Sequence, residues 1–265
     1  MRVLVTGAAG SIGRVVTAGL VGHGHDVVAL DRLPLARPPR GVEVVVGDVL
    51  DTEALDRAVA GVDAVAHLAS RPDEASLPEI LESHVHTAAA VLDAMVRHGV
   101  PRLVYASSNH AVGLTPRDEP VDARTRPRPD SFYGVGKVAA EAVGSLYADR
   151  HGVDVVACRI GSFLPRPTTR RHLSTWLSHD DAVRMVVAGL AAPRPGFALL
   201  YGISANTRAW WDLGPGRALG YEPRDDAEAY ADEILAKEET EDDVLEASYV
   251  GGPFAAVSFA RRPFG

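Results

Sequence analysis

Short apolar runs alternate with longer amphipathic stretches along the first two thirds of the chain. Runs rich in β-branched residues predict buried strands, because a strand covered on both faces needs apolar residues at nearly every position. Six such runs are predicted, at 2–6, 26–30, 42–46, 62–67, 102–106 and 153–158. Helices are expected between them, most clearly at 11–21, at 78–98 and from 133 onward. Strands that alternate with helices indicate an α/β fold with a doubly wound parallel sheet.

The first apolar run leads into a glycine-rich turn, Gly7-Ala-Ala-Gly-Ser-Ile-Gly13, and the predicted helix follows directly. Glycines let the backbone turn sharply and let a pyrophosphate approach main-chain N–H groups at a helix N-terminus. A strand before the turn and a helix after it are the context that this motif requires. The turn therefore predicts a Rossmann-like dinucleotide site with contacts from Gly7, Gly10, Ser11, Ile12 and Gly13.

Asp31 ends the second predicted strand, about 20 residues beyond the glycines, where a carboxylate can bind the ribose hydroxyls of adenosine. The same carboxylate would repel a 2′-phosphate, so NAD is favoured over NADP. Arg32 could instead pair with a 2′-phosphate, so the strictness of this preference stays open. Further dinucleotide contacts are predicted near other strand ends, at Asp48, Val49, Leu68, Ala69, Ser70 and Ile160.

A second group of residues carries the chemistry. Ser108 follows the fifth apolar run, and Tyr133 and Lys137 lie four residues apart at the start of a predicted helix. Residues four apart share a helical face, so the Lys137 ammonium is expected to lower the pKa of Tyr133 below its usual value of about 10. Ser108 would hold a substrate hydroxyl, and Tyr133 would take its proton while the carbon gives hydride to nicotinamide. Lys137 would also bind the nicotinamide ribose.

Composition limits the remaining possibilities. The 265 residues are 46% hydrophobic and 23% charged, which is ordinary for one globular unit. We expect a single domain over 1–265, with a cofactor-binding core at about 1–165 and substrate-capping elements at about 166–265. The net charge of -8 argues against a nucleic-acid or membrane-surface partner. No apolar run reaches the ~18 residues of a membrane span, and a lone cysteine, Cys158, fits a reducing cytoplasm.

Together these motifs resemble the extended short-chain dehydrogenase/reductase superfamily, the NAD-dependent epimerases and dehydratases. Three longer stretches, at 107–110, 173–181 and 201–212, are similar to the bacterial uronate dehydrogenases. The resemblance implies oxidation of a hexuronate, galacturonate or glucuronate, at C1 to the aldaro-lactone, with NAD as hydride acceptor. It also implies a homo-oligomer that takes a small sugar acid as its partner.

The resemblance also assigns substrate contacts, residue by residue. Arg171 would bind the substrate carboxylate, a role suited to a planar fork of donors. Arg170 is an alternative that the sequence does not rank against it. The residues implied to line the sugar are Ser108, Asn109, His110, Tyr133 and Ser162.

The chain departs from the family pattern near the fourth strand. Pro72 stands where a substrate-contacting Ser is usual, and Ser70 is the nearest substitute for it. Ala69 and Ser70 replace a pair of glycines, and His84 stands where an Asn is usual. These departures leave the identity of the sugar open.

Two other functions use the same motifs. A nucleotide-sugar epimerase or dehydratase has the same scaffold, but few residues remain after Arg166 to enclose a nucleotide diphosphate. A non-catalytic NAD-binding regulator would have no need of Tyr133 and Lys137.

Several conspicuous residues are interpreted as structural. Ser178, with an acid three residues later, has the form of a helix cap. Cys158 lies inside an apolar run, so a buried strand thiol is favoured over a nucleophile. Trp210 and Trp211 are expected in the core. The histidine pairs 23/25 and 84/86 lack further ligands, so no metal site is expected.

Overall fold

The computed structural model describes residues 1–119 and 121–255. Within these residues, seven parallel strands form one sheet: β1 (Arg2–Thr6), β2 (Asp26–Asp31), β3 (Glu43–Val46), β4 (Ala64–His67), β5 (Arg102–Ser108), β6 (Asp154–Ile160) and β9 (Phe197–Gly202). Two short strands pair beside it, β7 (Ser162–Phe163) and β8 (Trp176–Leu177). The sheet order is β3-β2-β1-β4-β5-β6-β9, which confirms the predicted doubly wound parallel sheet.

Helices connect the strands. They are α1 (Ser11–Gly22), α2 (Thr52–Val59), α3 (Leu77–Ile80), α4 (Thr87–His98), α5 (Phe132–His151), α6 (His172–Thr175), α7 (His179–Ala191), α8 (Gly214–Ala218), α9 (Ala231–Leu235) and α10 (Glu241–Glu246). A π-helical segment, Leu81–His86, joins α3 to α4, and 3-10 turns occur at Asn109–Val112, Ala227–Tyr230 and Gly252–Ala255. None of the helices in the described ranges is both long and apolar enough to span a bilayer.

The core lies on both faces of the sheet. Successive residues of β1 point to opposite faces, so Val3 and Val5 pack in one apolar cluster with α1 and α7. Leu4 packs in the other cluster, with residues of α2, α4 and α5. This double cover explains why the central strands are apolar at nearly every position.

The residues interpreted as structural mostly behave so. Ser178 caps α7 by accepting a hydrogen bond from the Asp181 N–H at 2.9 Å. Cys158 is buried in β6, and burial raises the pKa of its thiol to about 12. Trp211 is buried and stacks on Tyr201 with ring centroids 5.4 Å apart. Trp210 is only partly buried and packs against the apolar cluster that contains Tyr201 and Trp211.

Three elements differ from the sequence expectation. The strand β5 continues to Ser108, because Ser107 and Ser108 pair with Arg159 and Ile160 of β6. The helix expected over 78–98 contains the π-helical turn at Leu81–His86, and β9 was not predicted. The extension of β5 fixes Ser108 at the carboxyl edge of the sheet.

Gly13 lies where the turn after β1 meets α1. A Cβ at this position would lie 2.0 Å from the Gly7 carbonyl oxygen, which is backbone and cannot swing aside. We therefore expect Gly13→Ala to lower the free energy of unfolding by roughly 2 kcal/mol. Gly22, in the same helix, has no atom within 4 Å of an added Cβ. Urea denaturation should show Gly22→Ala equal to the parent or more stable, and equal midpoints for both variants would contradict this packing argument.

Candidate active site

A cavity of about 620 Å³ opens at the carboxyl edge of the sheet, where the strand order reverses between β1 and β4. Open parallel sheets bind ligands at this switch point. Most of the residues predicted to contact a dinucleotide line the cavity: Gly7, Gly10, Asp31, Asp48, Val49, Leu68, Ala69 and Ser70.

The residues present fit a dinucleotide. Gly7 has a φ of +69°, and a Cβ there would lie 2.7 Å from the Ala69 nitrogen, so two backbone segments meet with no side chain between them. The helix α1 begins after Gly10 with no side-chain cap and no acidic residue in its first turn. Its first N–H groups and positive dipole end are therefore open to a phosphate.

Asp31 is held by the backbone. Its Oδ2 accepts from the Ala9 N–H and its Oδ1 from the Leu33 N–H, both at 2.9 Å. Arg32 is 78% exposed and lies 3.8 Å from the Asp48 carboxylate. The fixed Asp31 carboxylate favours an unphosphorylated ribose, although Arg32 lines the same cavity beside it.

Six of the predicted cofactor residues do not line this cavity, and two of them, Tyr133 and Lys137, belong to the catalytic group described next. Ser11 is exposed at the first position of α1, and Gly13 is buried beneath Gly7. Ile12 and Ile160 pack in the apolar cluster that covers one face of the sheet. Their contacts with a dinucleotide stay predictions.

Ser108, Tyr133 and Lys137 come together beside the cavity. The Ser108 hydroxyl hydrogen-bonds to the Tyr133 phenol. The Lys137 Nζ lies 5.4 Å from the centroid of the Tyr133 ring and donates to the Ala106 carbonyl at 2.8 Å and the Ser70 Oγ at 3.0 Å. Because Ser70 lines the cavity, it links the trio to the dinucleotide site.

The pKa of Tyr133 is raised, whereas the sequence predicted that it would be lowered. Burial raises the pKa of Tyr133 to about 12, and the hydrogen bond from Ser108 offsets only part of this shift. Burial also lowers the pKa of Lys137 to about 7, against the opposing charge of Glu141. Both shifts favour the neutral forms. The free-energy cost of removing a charged group from water is larger here than the stabilisation that the neighbouring groups supply. The expected lowering by Lys137 is therefore wrong for the protein without a ligand.

The start of α5 is fixed by residues that hold Tyr133 in place. Ser131 caps the helix by accepting from the Gly134 N–H at 3.0 Å. Glu74, in the loop after β4, accepts from the Phe132 N–H at 2.9 Å and from the Tyr133 N–H at 2.8 Å. Sequence reasoning missed Glu74, because a loop acid 59 residues away carries no motif. Its carboxylate links the loop after β4 to the start of α5.

Asn109 and Arg171 meet at one acceptor. The Asn109 Nδ2 donates to the Val250 carbonyl at 3.2 Å, and the Arg171 Nη2 donates to the same oxygen at 2.6 Å. The Arg171 Nη1 is buried and has no partner within the described part of the chain. Burial lowers the pKa of this guanidinium to about 10. Arg170 instead donates to the Leu235 and Lys237 carbonyls at 3.4 and 2.9 Å, respectively.

Of the other implied substrate residues, His110 contacts Tyr133. The His110 ring meets the Tyr133 ring edge-on at 5.6 Å, and Phe254 stacks on His110 at 4.3 Å. Phe254 had no sequence signal. Ser162 has a different neighbour, with its Oγ 2.8 Å from the Thr175 Oγ1.

The departures from the family pattern also lie here. Pro72 lines the cofactor cavity, while Ser70 is engaged by Lys137. His84 is buried, and its ring meets the Tyr133 ring edge-on at 5.1 Å. Burial lowers the pKa of His84 to about 3, with a further contribution from the Lys137 charge. Among the described residues, no group of three or more His, Cys, Asp and Glu side chains is arranged to hold a metal ion.

Comparison with known proteins identifies the family of this chain. Residues 3–179 match the model of the NAD dependent epimerase/dehydratase family. The chain is 40% identical to the uronate dehydrogenase of Pseudomonas putida over 256 residues, covering 96% of this chain and 95% of that protein.

Solved structures give the same result. The crystal structure of uronate dehydrogenase from Agrobacterium tumefaciens superposes with a TM-score of 0.90 at 36% identity, covering 96% of both chains. A mutant of that enzyme complexed with NAD matches equally well, with a TM-score of 0.90. The chain belongs to the NAD dependent epimerase/dehydratase family and, within it, is a relative of the uronate dehydrogenases.

Proposed function

We propose that this protein is an NAD-dependent dehydrogenase that oxidises a hexuronic acid, galacturonate or glucuronate, at C1 to the aldaro-lactone. The observation that carries the proposal is the Arg171 guanidinium. It shares the Val250 carbonyl with Asn109, and its buried Nη1 has no hydrogen-bond partner within the described residues. A buried N–H donor that lacks an acceptor is costly unless a ligand supplies one. A carboxylate with two oxygens matches the fork of an arginine.

The site residues divide the work. The Ser108 hydroxyl orients the C1 hydroxyl of the cyclic sugar. The Tyr133 oxygen takes its proton in the phenolate form, which the charges of Lys137 and of a bound oxidised nicotinamide would favour. As the C–H bond breaks, the C1–O bond becomes the carbonyl of the lactone. NAD, when bound, would supply the acceptor for the hydride. Lys137 holds the nicotinamide ribose from the side of Ser70. The Lys137 side chain is shielded from bulk water, since the residue is only 2% exposed.

NAD is the cofactor that this chemistry uses, and Asp31 sets the preference against NADP. We expect Asp31→Asn to reduce the ratio of kcat/KM for NAD to that for NADP by about tenfold or more, because it removes the charge that repels a 2′-phosphate. Arg32→Ala tests the neighbouring arginine, which lines the same cavity and could pair with a 2′-phosphate. It should leave the KM for NAD unchanged, and an Asp31→Asn enzyme with the parent's ratio would contradict the assignment.

The direct test is a screen of sugar acids, neutral aldoses and sugar phosphates with NAD and NADP, followed by the absorbance of the reduced nicotinamide. Galacturonate or glucuronate with NAD should give the highest kcat/KM. No signal from either acid would overturn the substrate assignment. Tight binding of UDP would instead favour the alternative of a nucleotide-sugar epimerase or dehydratase, and turnover of a neutral aldose alone would favour a dehydrogenase of another sugar.

A further inference from the structure

Asp130 is a buried carboxylate beside the proposed sugar site that the chemistry described so far does not use. Its side chain is 0% exposed. Its Oδ2 lies 2.7 Å from the His110 Nδ1, and its Oδ1 accepts from the Ser131 Oγ at 2.7 Å. A carboxylate withdrawn from water is costly unless its oxygens accept hydrogen bonds, and here both do.

The pocket around Asp130 is shaped for this side chain. A Cβ added at Gly113 or at Gly251 would lie 1.8 Å from the Asp130 Oδ2. These two segments also bond to each other, from the Gly251 N–H to the Gly113 carbonyl at 2.8 Å. The carboxylate is therefore enclosed by backbone on the sides that do not face His110 and Ser131.

The contact with Asp130 determines which nitrogen of His110 carries a proton. A carboxylate oxygen only accepts, so the proton of this bond belongs to Nδ1. In the neutral ring, Nε2 is then the acceptor. The structure gives Nε2 no hydrogen-bond partner within residues 1–119 and 121–255, and the His110 side chain is 18% exposed. Nε2 is the nitrogen left for a ligand.

Two aromatic contacts limit the orientations that the His110 ring can adopt. Phe254 stacks on it at 4.3 Å, and Tyr133 meets it edge-on at 5.6 Å. The main-chain N–H of His110 also donates to the Ser108 Oγ at 3.2 Å. The ring is thus fixed on the side of the site where Ser108 and Tyr133 hold the reacting hydroxyl.

We propose that Asp130 is a positioning residue for sugar recognition: it fixes the proton of His110 on Nδ1, so that Nε2 accepts a hydrogen bond from a second sugar hydroxyl. This inference rests on the proposed dehydrogenase function for its substrate. The recognition is of a polyhydroxylated ring and is separate from that of the carboxylate by Arg171.

The tautomer can be measured without any substrate. In ¹⁵N-labelled protein, the two ring nitrogens of His110 should show the Nδ1–H form, with the signals assigned by their loss in His110→Asn. Finding the proton on Nε2 in the neutral ring would overturn the proposal. Because this measurement needs no turnover, its result does not depend on the result of the uronate assay.

The kinetic test is a double-mutant cycle of Asp130→Asn and His110→Ala. Asp130→Asn should raise the KM for the uronate about tenfold, the size expected for one hydrogen bond, with the KM for NAD unchanged. In the His110→Ala background the same change should have almost no effect. Asp122→Asn, a partly exposed acid in the loop before α5, is the matched control and should leave every constant at the parent's value.

Additive effects in the cycle would overturn the proposal. They would show that Asp130 acts on the fold or on the charge of Arg171, which its carboxylate also supports. Thermal unfolding of each variant separates a loss of stability from a loss of sugar binding.

Discussion

Replacing Tyr133 by Phe should lower kcat by roughly 10³-fold or more, while the dissociation constant for NAD stays close to the parent's. The change removes one oxygen and keeps the ring, so its edge contacts with His84 and His110 remain. The lost oxygen is the atom that hydrogen-bonds to Ser108, and it is the proposed proton acceptor. Turnover is measured by NADH absorbance, and NAD binding by calorimetry.

Tyr147→Phe is the control on the same helix. Its hydroxyl donates to Asp93 between α4 and α5 and contacts neither the cavity nor the catalytic trio. It should keep the parent's kcat. A Tyr133→Phe enzyme that also keeps the parent's kcat would overturn the role of the phenol, because no other change in the active site accompanies that substitution.

Much of the fold was predictable, because a central parallel strand is apolar along its whole length and leaves a strong signal. This signal is absent where the length of a strand depends on pairing with its neighbour and not on hydrophobicity. Ser107 and Ser108 are polar, yet they extend β5 because β6 continues beside them. The π-helical turn at Leu81–His86 has no pattern of its own, since apolar periodicity hardly distinguishes it from the α-helix around it.

The candidate site was predictable where one element fixes the spacing. Tyr133 and Lys137 share a turn of α5, so their proximity follows from four residues of helix. Glu74 and Asp130 act across loops and carry no local signal. The direction of the Tyr133 pKa was wrong because a neighbouring charge can be read from sequence, whereas burial depends on the whole fold.

Arg171→Ala should raise the KM for a uronate by about 10- to 100-fold and change the KM for a neutral aldose far less, because a charge-assisted hydrogen bond to the carboxylate is lost. Kinetics with one acidic and one neutral sugar, at saturating NAD, measure the difference. The comparison is informative because Arg171 also has a structural contact, its bond to the Val250 carbonyl. Loss of that contact alone would affect both sugars equally.

Two further variants separate charge from geometry. Arg170→Ala removes a neighbouring guanidinium that is already bonded to the Leu235 and Lys237 carbonyls, so it should leave the KM for both sugars unchanged. Arg171→Lys keeps the charge but loses the planar fork, so it should recover only part of the affinity for the acid. An equal rise in KM for acidic and neutral sugars in Arg171→Ala would place the carboxylate elsewhere. Such a result would be ascribed to the lost bond from Arg171 to the Val250 carbonyl, to which Asn109 would still donate.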